Sequence, residues 1–449
     1  VTHPTDPDIA WVASLGPLYS KNKVRGVFKT TDGGENWEKS LFLNDSTGVI
    51  DLVINPRDPD ILYASTWERG RQAWNFKESG AGSAVWKSDD GGENWKKLTN
   101  GLPEGDHVGR IGLSISPQNP DILYALIDNQ KEVSPQEKEE ITEAEQEEQL
   151  TAEQLREMSR KEFLKLENEK IQQFLDKHDF PKRYTARQVK QDISQGNYDP
   201  TALADYLGDA NESLFNTEII GAEVYKSTDS GQSWAKMNEH PIEAFYFTYG
   251  YYFGEIRIDP TDTETIYIMG VPLLKSTDSG KSWDEKAVNQ PVHVDHHAMW
   301  INPENPQHLI LGNDGGLYIS YDGGENFVHR NNASVGQFYS VAVDNQQPYN
   351  IYGGLQDNGV YKGSSQSIPN KTPQWEKVLG GDGMHVAIDP RDPARVYTGF
   401  QFGNYYRIDT DAGSYKTIKP KHDIGEEKYR FNWNTPIEMS PHNPDIVYF

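Results

Sequence analysis

The chain reads as an all-β protein: a β-propeller of four-stranded blades with hairpin turns carrying an acidic box, plus one inserted helical subdomain. Two repeats that run in register predict this, and a single break in their period predicts the insertion. The first repeat is a nine-residue box, KTTDGGENW at Lys29–Trp37, KSDDGGENW at Lys87–Trp95, KSTDSGQSW at Lys226–Trp234, KSTDSGKSW at Lys275–Trp283 and ISYDGGENF at Ile319–Phe327. Its common form is Ser/Thr-x-Asp-x-Gly-x-x-Trp/Phe. A motif that recurs five times serves the fold, because a catalytic group is normally needed once. Asp32, Asp90, Asp229, Asp278 and Asp322, with Trp37, Trp95, Trp234, Trp283 and Phe327, are therefore expected to be structural. The acid and hydroxyl would bond within the turn, the glycine would take an unusual backbone angle, and the ring would bury between sheets.

The second repeat is Pro-x-Asn/Asp-Pro-x-x-Ile/Val-Tyr. It occurs at His3–Ala13, Asn55–Ala64, Ser116–Ala125, Asp259–Ile268, Asn302–Gly312, Asp389–Thr398 and Ser440–Phe449. Short β-branched runs such as VIDLVI, RIGLSI and GEIRI precede most copies, and the Asp/Asn-Pro pieces are turn formers, so each copy is strand, tight turn, strand. With the box as a further hairpin, the unit becomes a four-stranded meander of about 45–55 residues, the signature of a propeller blade. Gln337–Tyr352 is an eighth strand pair with a weakened turn, and the boxes near Trp375 and Asp411 are degenerate. Seven to eight blades are expected. The terminal repeats are incomplete, so a fragment of a larger protein, of about ten blades or two propellers, is expected.

Three segments follow: blades over 1–128, a helical insertion over 129–217, and further blades over 218–449 that continue past the chain end. The insertion is rich in Glu, Gln and Lys. Pro135–Asp179 carries apolar positions at helical spacing, among them Leu155, Met158, Phe163, Leu164, Leu166, Ile171 and Phe174. Thr185 with Gln188 resembles a capping box, and Asp199-Pro200 an N-cap followed by a first-turn proline. The insertion is either a solvated decoration on a blade edge or a lid or docking arm.

Composition narrows the function. A net charge of −25 argues against a nucleic-acid partner and against anionic membrane surfaces. No apolar run approaches ~18 residues, so nothing is expected to span a membrane. There are no cysteines, which removes disulfides without fixing the compartment. Nothing calls for a cofactor.

Blade geometry sorts the sequence by face. The boxes belong to the hairpin between the third and fourth strands, on one face. The loops between second and third strands belong to the other, and these are the long ones: Leu15–Arg25, Trp67–Ala84 and the insertion. Function usually rides on such loops. The starts of the first strands reach the same face, placing Arg110, Tyr252, Asp295, His296, Gln337, Asp382 and Asn434 there, with Asp314 and Asp357 from neighbouring loops. Arg110, Tyr252, Asp295, His296, Gln337, Asp357 and Asp382 are the expected ligand-binding residues.

Three readings of this face are open. His293, Asp295 and His297 alternate along a strand and have metal-ligand chemistry, but no zinc-type spacing, so no metal is assigned. Asp295 with Asp382 or Asp314 would be the catalytic candidates for glycoside hydrolysis, given one raised-pKa acid and one ionised partner about 5–10 Å apart. The third reading is a hydrogen-bonded polar plug or a recognition surface without chemistry. In FYFTYGYYFGEIRI (Phe245–Ile258) most rings are expected in the core, with Tyr249, Tyr251 and Tyr252 the most exposed.

The boxes resemble the Asp-box, or BNR, repeat of sialidases, xyloglucanase-type glycoside hydrolases and sortilin-type receptors. HVDHHAMWINPENPQHLILGNDGGLYISYDGGENF, GQFYSVAVDNQQPYNIYGGLQDNGVYKG, GGDGMHVAIDPRDP and RFNWNTPIEMSPHNP resemble a bacterial sortilin-like family often labelled "glycosyl hydrolase", over almost the whole chain. That resemblance implies an exported protein of Bacteroidetes-type bacteria, periplasmic, at the cell surface or extracellular. It implies a protein, peptide or glycan ligand, or membership of an envelope complex. The alternative it implies is hydrolysis of a polysaccharide. The xyloglucanase aspartates do not map onto this sequence residue by residue, and neither the sialidase arginine triad nor its tyrosine is recognisable. Fold alone does not supply activity.

Overall fold

A computed structural model describes residues 1–133, 150–208, 219–242, 244–247, 249–286, 292–330, 335–367 and 375–449. The chain divides into two compact units, Val1–Ser134 with Leu214–Ala333, and Pro135–Ser213 with Ser334–Phe449.

The first unit is a succession of antiparallel meanders, the blades of a β-propeller. Blade one has three strands, Ala10–Ser14, Gly26–Thr30 and Glu38–Leu41. Blade two comprises Thr47–Ile54, Leu62–Glu68, Ala84–Ser88 and Lys96–Leu98, with the small hairpin Gly70–Gln72/Asn75–Lys77 between its second and third strands. Blade three is Val108–Ile115, Leu123–Glu132, Ile219–Ser227 and Ala235–Lys236. Blade four is Glu255–Ile258, Ile266–Met269, Leu273–Ser276 and Asp284–Lys286. Blade five is His296–Ile301, Leu309–Asn313, Gly316–Ser320 and Val328–His329.

The core lies between consecutive blades, because each sheet buries side chains on both faces. Tyr124, Leu126 and Val224 of blade three pack on Ile256, Ile258 and Ile266 of blade four. Tyr63 and Val85 of blade two meet Ile111, Leu113 and Leu123 of blade three. The innermost strands come closest at Gly112, where an added Cβ would stand 1.5 Å from the Gly254 carbonyl oxygen, so a side chain there is excluded.

The boxes close their hairpins in one repeated pattern. Ser227 Oγ donates to Asp229 Oδ1 (2.8 Å) and accepts from the Gly231 amide (2.9 Å); the Ser233 amide donates to Asp229 Oδ1 (2.9 Å). Gly231 has φ +81°, which a side chain would strain. Thr30/Asp32, Ser88/Asp90, Ser276/Asp278 and Ser320/Asp322 repeat these bonds. Four of the five turns also donate one amide to the turn between their blade's first two strands: Gly91 to Asp60, Ser230 to Asp121, Ser279 to Glu264 and Gly323 to Gln307; in blade one Gly33 donates to Asp8, ahead of the first strand. The boxes therefore share a face with those turns, opposite the long loops.

Both repeats meet across the blade boundaries. Trp11 Nε1 of blade one donates to the Gly91 carbonyl in the box of blade two (3.0 Å). Tyr63 Oη of blade two donates to the Ser230 carbonyl in the box of blade three (2.9 Å), and Tyr267 Oη of blade four to the Gly323 carbonyl in the box of blade five (3.1 Å). The box aromatics reach the other way: Trp234 packs with Tyr63 and Leu98 of blade two, and Phe327 with Tyr267 of blade four. The two repeats keep a common register because one is the lock of the other.

In the second unit, blade six comprises Phe338–Val343, Asn350–Leu355, Gly359–Ser364 and Trp375–Leu379. Blade seven comprises Val386–Ile388, Arg395–Phe400, Asn404–Asp409 and Ser414–Thr417. The pair Glu438–Met439/Val447–Tyr448 follows. Where the box is degenerate the lock is missing. Tyr352 Oη, the cassette hydroxyl of blade six, is buried without a partner among the described residues.

The helical segment belongs to this second unit. Its helices are Ala152–Glu157, Arg160–Phe163, Asn168–Lys177, Ala186–Gln195 and Thr201–Leu207. Leu155, Phe163, Ile171, Phe174, Val189, Ile193 and Leu203 form a core of their own, and Ile424, from the loop after blade seven's last strand, is buried in it. Arg183 bonds Asp423, and Lys428 Nζ bonds the Gly208 carbonyl. The segment is thus anchored to residues far along the chain. Of the positions read as one helical stripe, Leu164 is exposed, because short helices with separate caps at Thr151 and Ser159 replace a continuous helix. Thr185 accepts from the Gln188 amide (3.3 Å). Pro200 sits at the cap position rather than inside the helix, and Asp199 pairs with Arg160 (2.7 Å). Residues 135–149 of the expected helical stretch, and its expected end at 217, fall outside the described residues.

Candidate functional site

On the face opposite the boxes, the first unit gathers Arg110, Tyr252, Asp295, His297 and Asp314. Arg110 lies in the first strand of blade three. Its Nη1 donates to the carbonyls of Tyr251 (3.3 Å) and Tyr252 (2.8 Å), and its Nη2 stands 3.8 Å from Glu255. The aliphatic part of this side chain runs over Gly254, whose φ of +153° and missing Cβ give it room. Arg110 therefore holds the short helical turn Gly250–Tyr252 against blade three. Of the tyrosines, Tyr252 is exposed (52%) and Tyr249 and Tyr251 are half-buried, whereas Phe245, Tyr246 and Phe253 are core.

The HVDHH stretch does not alternate. The strand begins only at His296, and Asp295 just before it has φ +64°, in the left-handed region rather than an extended one. His296 turns inward, is 3% exposed, and is pushed down to about 4 by burial and by its histidine neighbours, so it is a neutral packing group. His297 turns out. Its Nε2 bonds Asp314 Oδ1 at 3.0 Å and its ring stacks on Phe253 at 5.4 Å. Asp314 raises the His297 pKa, with Asp295 adding to it. Among the described residues no group of three or more His, Asp or Glu side chains converges as metal ligands.

In the second unit, Gln337 and Asp382, before the first strands of blades six and seven, come together with Asp357, in the turn between the second and third strands of blade six. The Asp357 amide donates to Asp382 Oδ1 (2.8 Å), the Gln356 amide to the Gln337 carbonyl (3.0 Å), and the Asp382 amide to Gln401 Oε1 (3.4 Å). Asp382 is 8% exposed, Gln337 is exposed, and Asp357 has φ +61°. Asn434 is exposed before the last strand pair.

Sequence reasoning missed three acids whose environments raise their pKa. Asp128, fully buried, is pushed to about 7 by desolvation; Gln130 Nε2 donates to both of its oxygens (2.9 and 2.8 Å). Asp51 reaches into blade three, where its Oδ2 accepts from the Leu113 amide (2.8 Å), and rises to about 6. Glu78, after the small hairpin of blade two, rises to about 7, and its Oε2 is buried without a partner among the described residues. The hairpin reaches the aromatic loop of blade four through Phe76, edge-on to Tyr251 at 4.6 Å. No motif marks these acids; their signal is burial.

Comparisons with known proteins give a family match over part of the chain and several similar solved structures. The family described as "Sortilin, neurotensin receptor 3" (Sortilin-Vps10) matches residues 222–367. A search of curated proteins gives no match. Among solved structures, the GH74 enzyme of Niastella koreensis is 12% identical, covering 100% of this chain and 58% of its own, at a TM-score of 0.33. The GH74 xyloglucanase of Xanthomonas campestris is 13% identical, covering 100% of this chain and 67% of its own, at 0.29. YCF48 bound to a D1 peptide is 9% identical, covering 87% and 90%, at 0.31. The chain thus spans less than two thirds of the length of the first of these. It resembles sortilin-type and xyloglucanase-type propellers.

Proposed function

We propose that this chain is part of an exported propeller that binds a protein, peptide or glycan ligand and does not cleave it. The observation that carries this reading is the state of the acids. Glycoside hydrolysis needs an acid of raised pKa facing the substrate and an ionised partner across the bond. Asp382 accepts a backbone amide and is nearly buried, and Asp314 is bonded to His297. Of the acids whose pKa is raised, Asp128 has no exposed surface at all, and Glu78 is partly exposed but keeps its Oε2 buried. The candidate residues that do reach solvent, Tyr252 and His297 in the first unit and, separately, Gln337 in the second, are suited to recognition.

The test is a screen of the protein against polysaccharides and peptides, scoring binding and bond cleavage separately. Retention of a ligand without turnover is expected, with Tyr252→Ala weakening it about tenfold. Cleavage that disappears in Asp295→Asn, Asp314→Asn or Asp382→Asn would favour the glycoside hydrolase instead. Export to the periplasm or cell surface, as part of an envelope complex, belongs to the same reading. Cell fractionation checks it, and a cytoplasmic protein would overturn it.

A further inference from the structure

Blade two and the Leu15–Arg25 loop of blade one enclose a cleft of about 180 Å³ in the first unit. That is room for about six waters, or one small polar group with its shell. Lys21, Arg25, Arg69, Arg71 and Lys77 line it, against a single carboxylate, Glu68, in a chain whose net charge is −25. The carboxylate is already engaged: Glu68 Oε1 takes Lys77 Nζ at 2.6 Å and Oε2 takes the Gly82 amide at 2.9 Å.

The cations are built in. Arg25 is 2% exposed and holds the loop by donating to the carbonyls of Leu15 (2.6 Å), Pro17 (3.0 Å) and Ser20 (3.1 Å). Its Nε is buried with no acceptor among the described residues, and so is Nε of Arg69. Among the described residues neither Arg69 nor Arg71 has a carboxylate within ion-pair distance. They rest instead over Trp67 and Phe76, at 5.1 and 5.0 Å. Burial and repulsion from Arg25, Arg110 and Arg71 lower the Arg69 pKa. Like charges held together with unfilled donors are stabilised by an anion of matching geometry, and a guanidinium pair matches a carboxylate.

One exposed ring lies in the cleft lining, and a second stands outside that lining at the tip of the adjoining hairpin. Tyr19 lines the cleft and is 63% exposed; Trp74, at the tip of the hairpin whose flanks Gln72 and Lys77 line it, is 83% exposed. Aromatic faces beside paired guanidinia suit a sugar ring that bears a carboxylate. We propose that this cleft binds an acidic glycan, with the uronate carboxylate on Arg69 and Arg71 and the sugar ring against Tyr19 and Trp74. This goes beyond the reading above, since none of these residues belongs to the Arg110–Tyr252–His297 group.

Calorimetric titration of the protein with a galacturonic acid tetramer tests it, beside the neutral galactose tetramer, inorganic sulfate and a pentaglutamate peptide. The acidic sugar should bind and the neutral one should not. Arg71→Gln, on the solvent-facing hairpin, and Arg69→Gln should each weaken binding about tenfold or more. Trp74→Ala should weaken the acidic sugar without altering any sulfate binding. Unchanged thermal unfolding of Arg71→Gln separates a lost contact from a lost fold. Equal binding of the neutral tetramer would overturn the proposal, as would no binding of the acidic one. Pentaglutamate bound as tightly, with Trp74→Ala silent, would identify an acidic peptide instead and overturn the sugar assignment. Sulfate binding alone would do the same.

Discussion

At the scale of single residues, Asp128 carries the clearest consequence. Its carboxyl has no exposed surface, and desolvation raises its pKa to about 7, against about 4 in an unfolded chain. The folded state therefore holds this proton more tightly than the unfolded state. Stability gained from the protonated form is present below pH ~4 and is lost as pH rises toward about 7. Asp128→Asn keeps the shape and an acceptor for Gln130 but removes the charge. It should stabilise the protein by about 2–4 kcal/mol at pH 8 and change little at pH 4, read from denaturant melts at both values. Equal effects at the two values would mean that the carboxyl is not titrating there. No sequence pattern marks this group, whereas the exposure of Tyr252 was legible from its place near the end of an aromatic run just before a first strand. His296 was expected at the ligand face. The left-handed turn at Asp295 sends it inward, and that φ has no reading in a run of His and Asp.

At the scale of elements, the box shows how one motif can have unequal weight. Trp234 is 6% exposed because blade two lies behind it, whereas Trp37, in blade one, is 42% exposed. Trp234→Ala should therefore cost about 3–5 kcal/mol, and Trp37→Ala far less, by thermal or urea unfolding; equal costs would show that burial between blades is not the source. The helical segment carries the other test. Ile424 is buried among its helices, and Arg183–Asp423 lies on the rim of the same contact. Ile424→Asp places an unpaired charge in that core. Hydrogen exchange across Phe163–Ile193 should quicken while blades two and three keep their protection. An unchanged exchange pattern would mean that the segment holds its core without this loop. The amphipathic spacing announced helices, but not that a residue more than two hundred positions onward completes their core.

At the scale of the molecule, stability rests on neighbour-to-neighbour locks. A cassette tyrosine reaches forward to the next box, and a box aromatic packs back on the preceding blade. Tyr267→Phe leaves the Gly323 carbonyl short of one buried donor and should cost about 1–2 kcal/mol. Tyr352→Phe should cost nothing or stabilise, since its hydroxyl is buried without a partner among the described residues. Matched unfolding curves of the two variants check the pair. A larger loss from Tyr352→Phe would break the rule.

The sequence by itself determined the blade, its repeat, the face on which the boxes lie and the presence of a helical insertion. All of these follow from period, turn chemistry and propensity, which act over a few residues. Tertiary structure alone decided that Asp128, Asp51 and Glu78 are held in surroundings that favour their protonated forms, and that Asp382 is committed to a backbone amide. It likewise decided that five cations from two separate loops share one cleft. Those outcomes depend on desolvation and on charge meeting charge across blade boundaries. The residues involved stand tens of positions apart, so no local pattern encodes them.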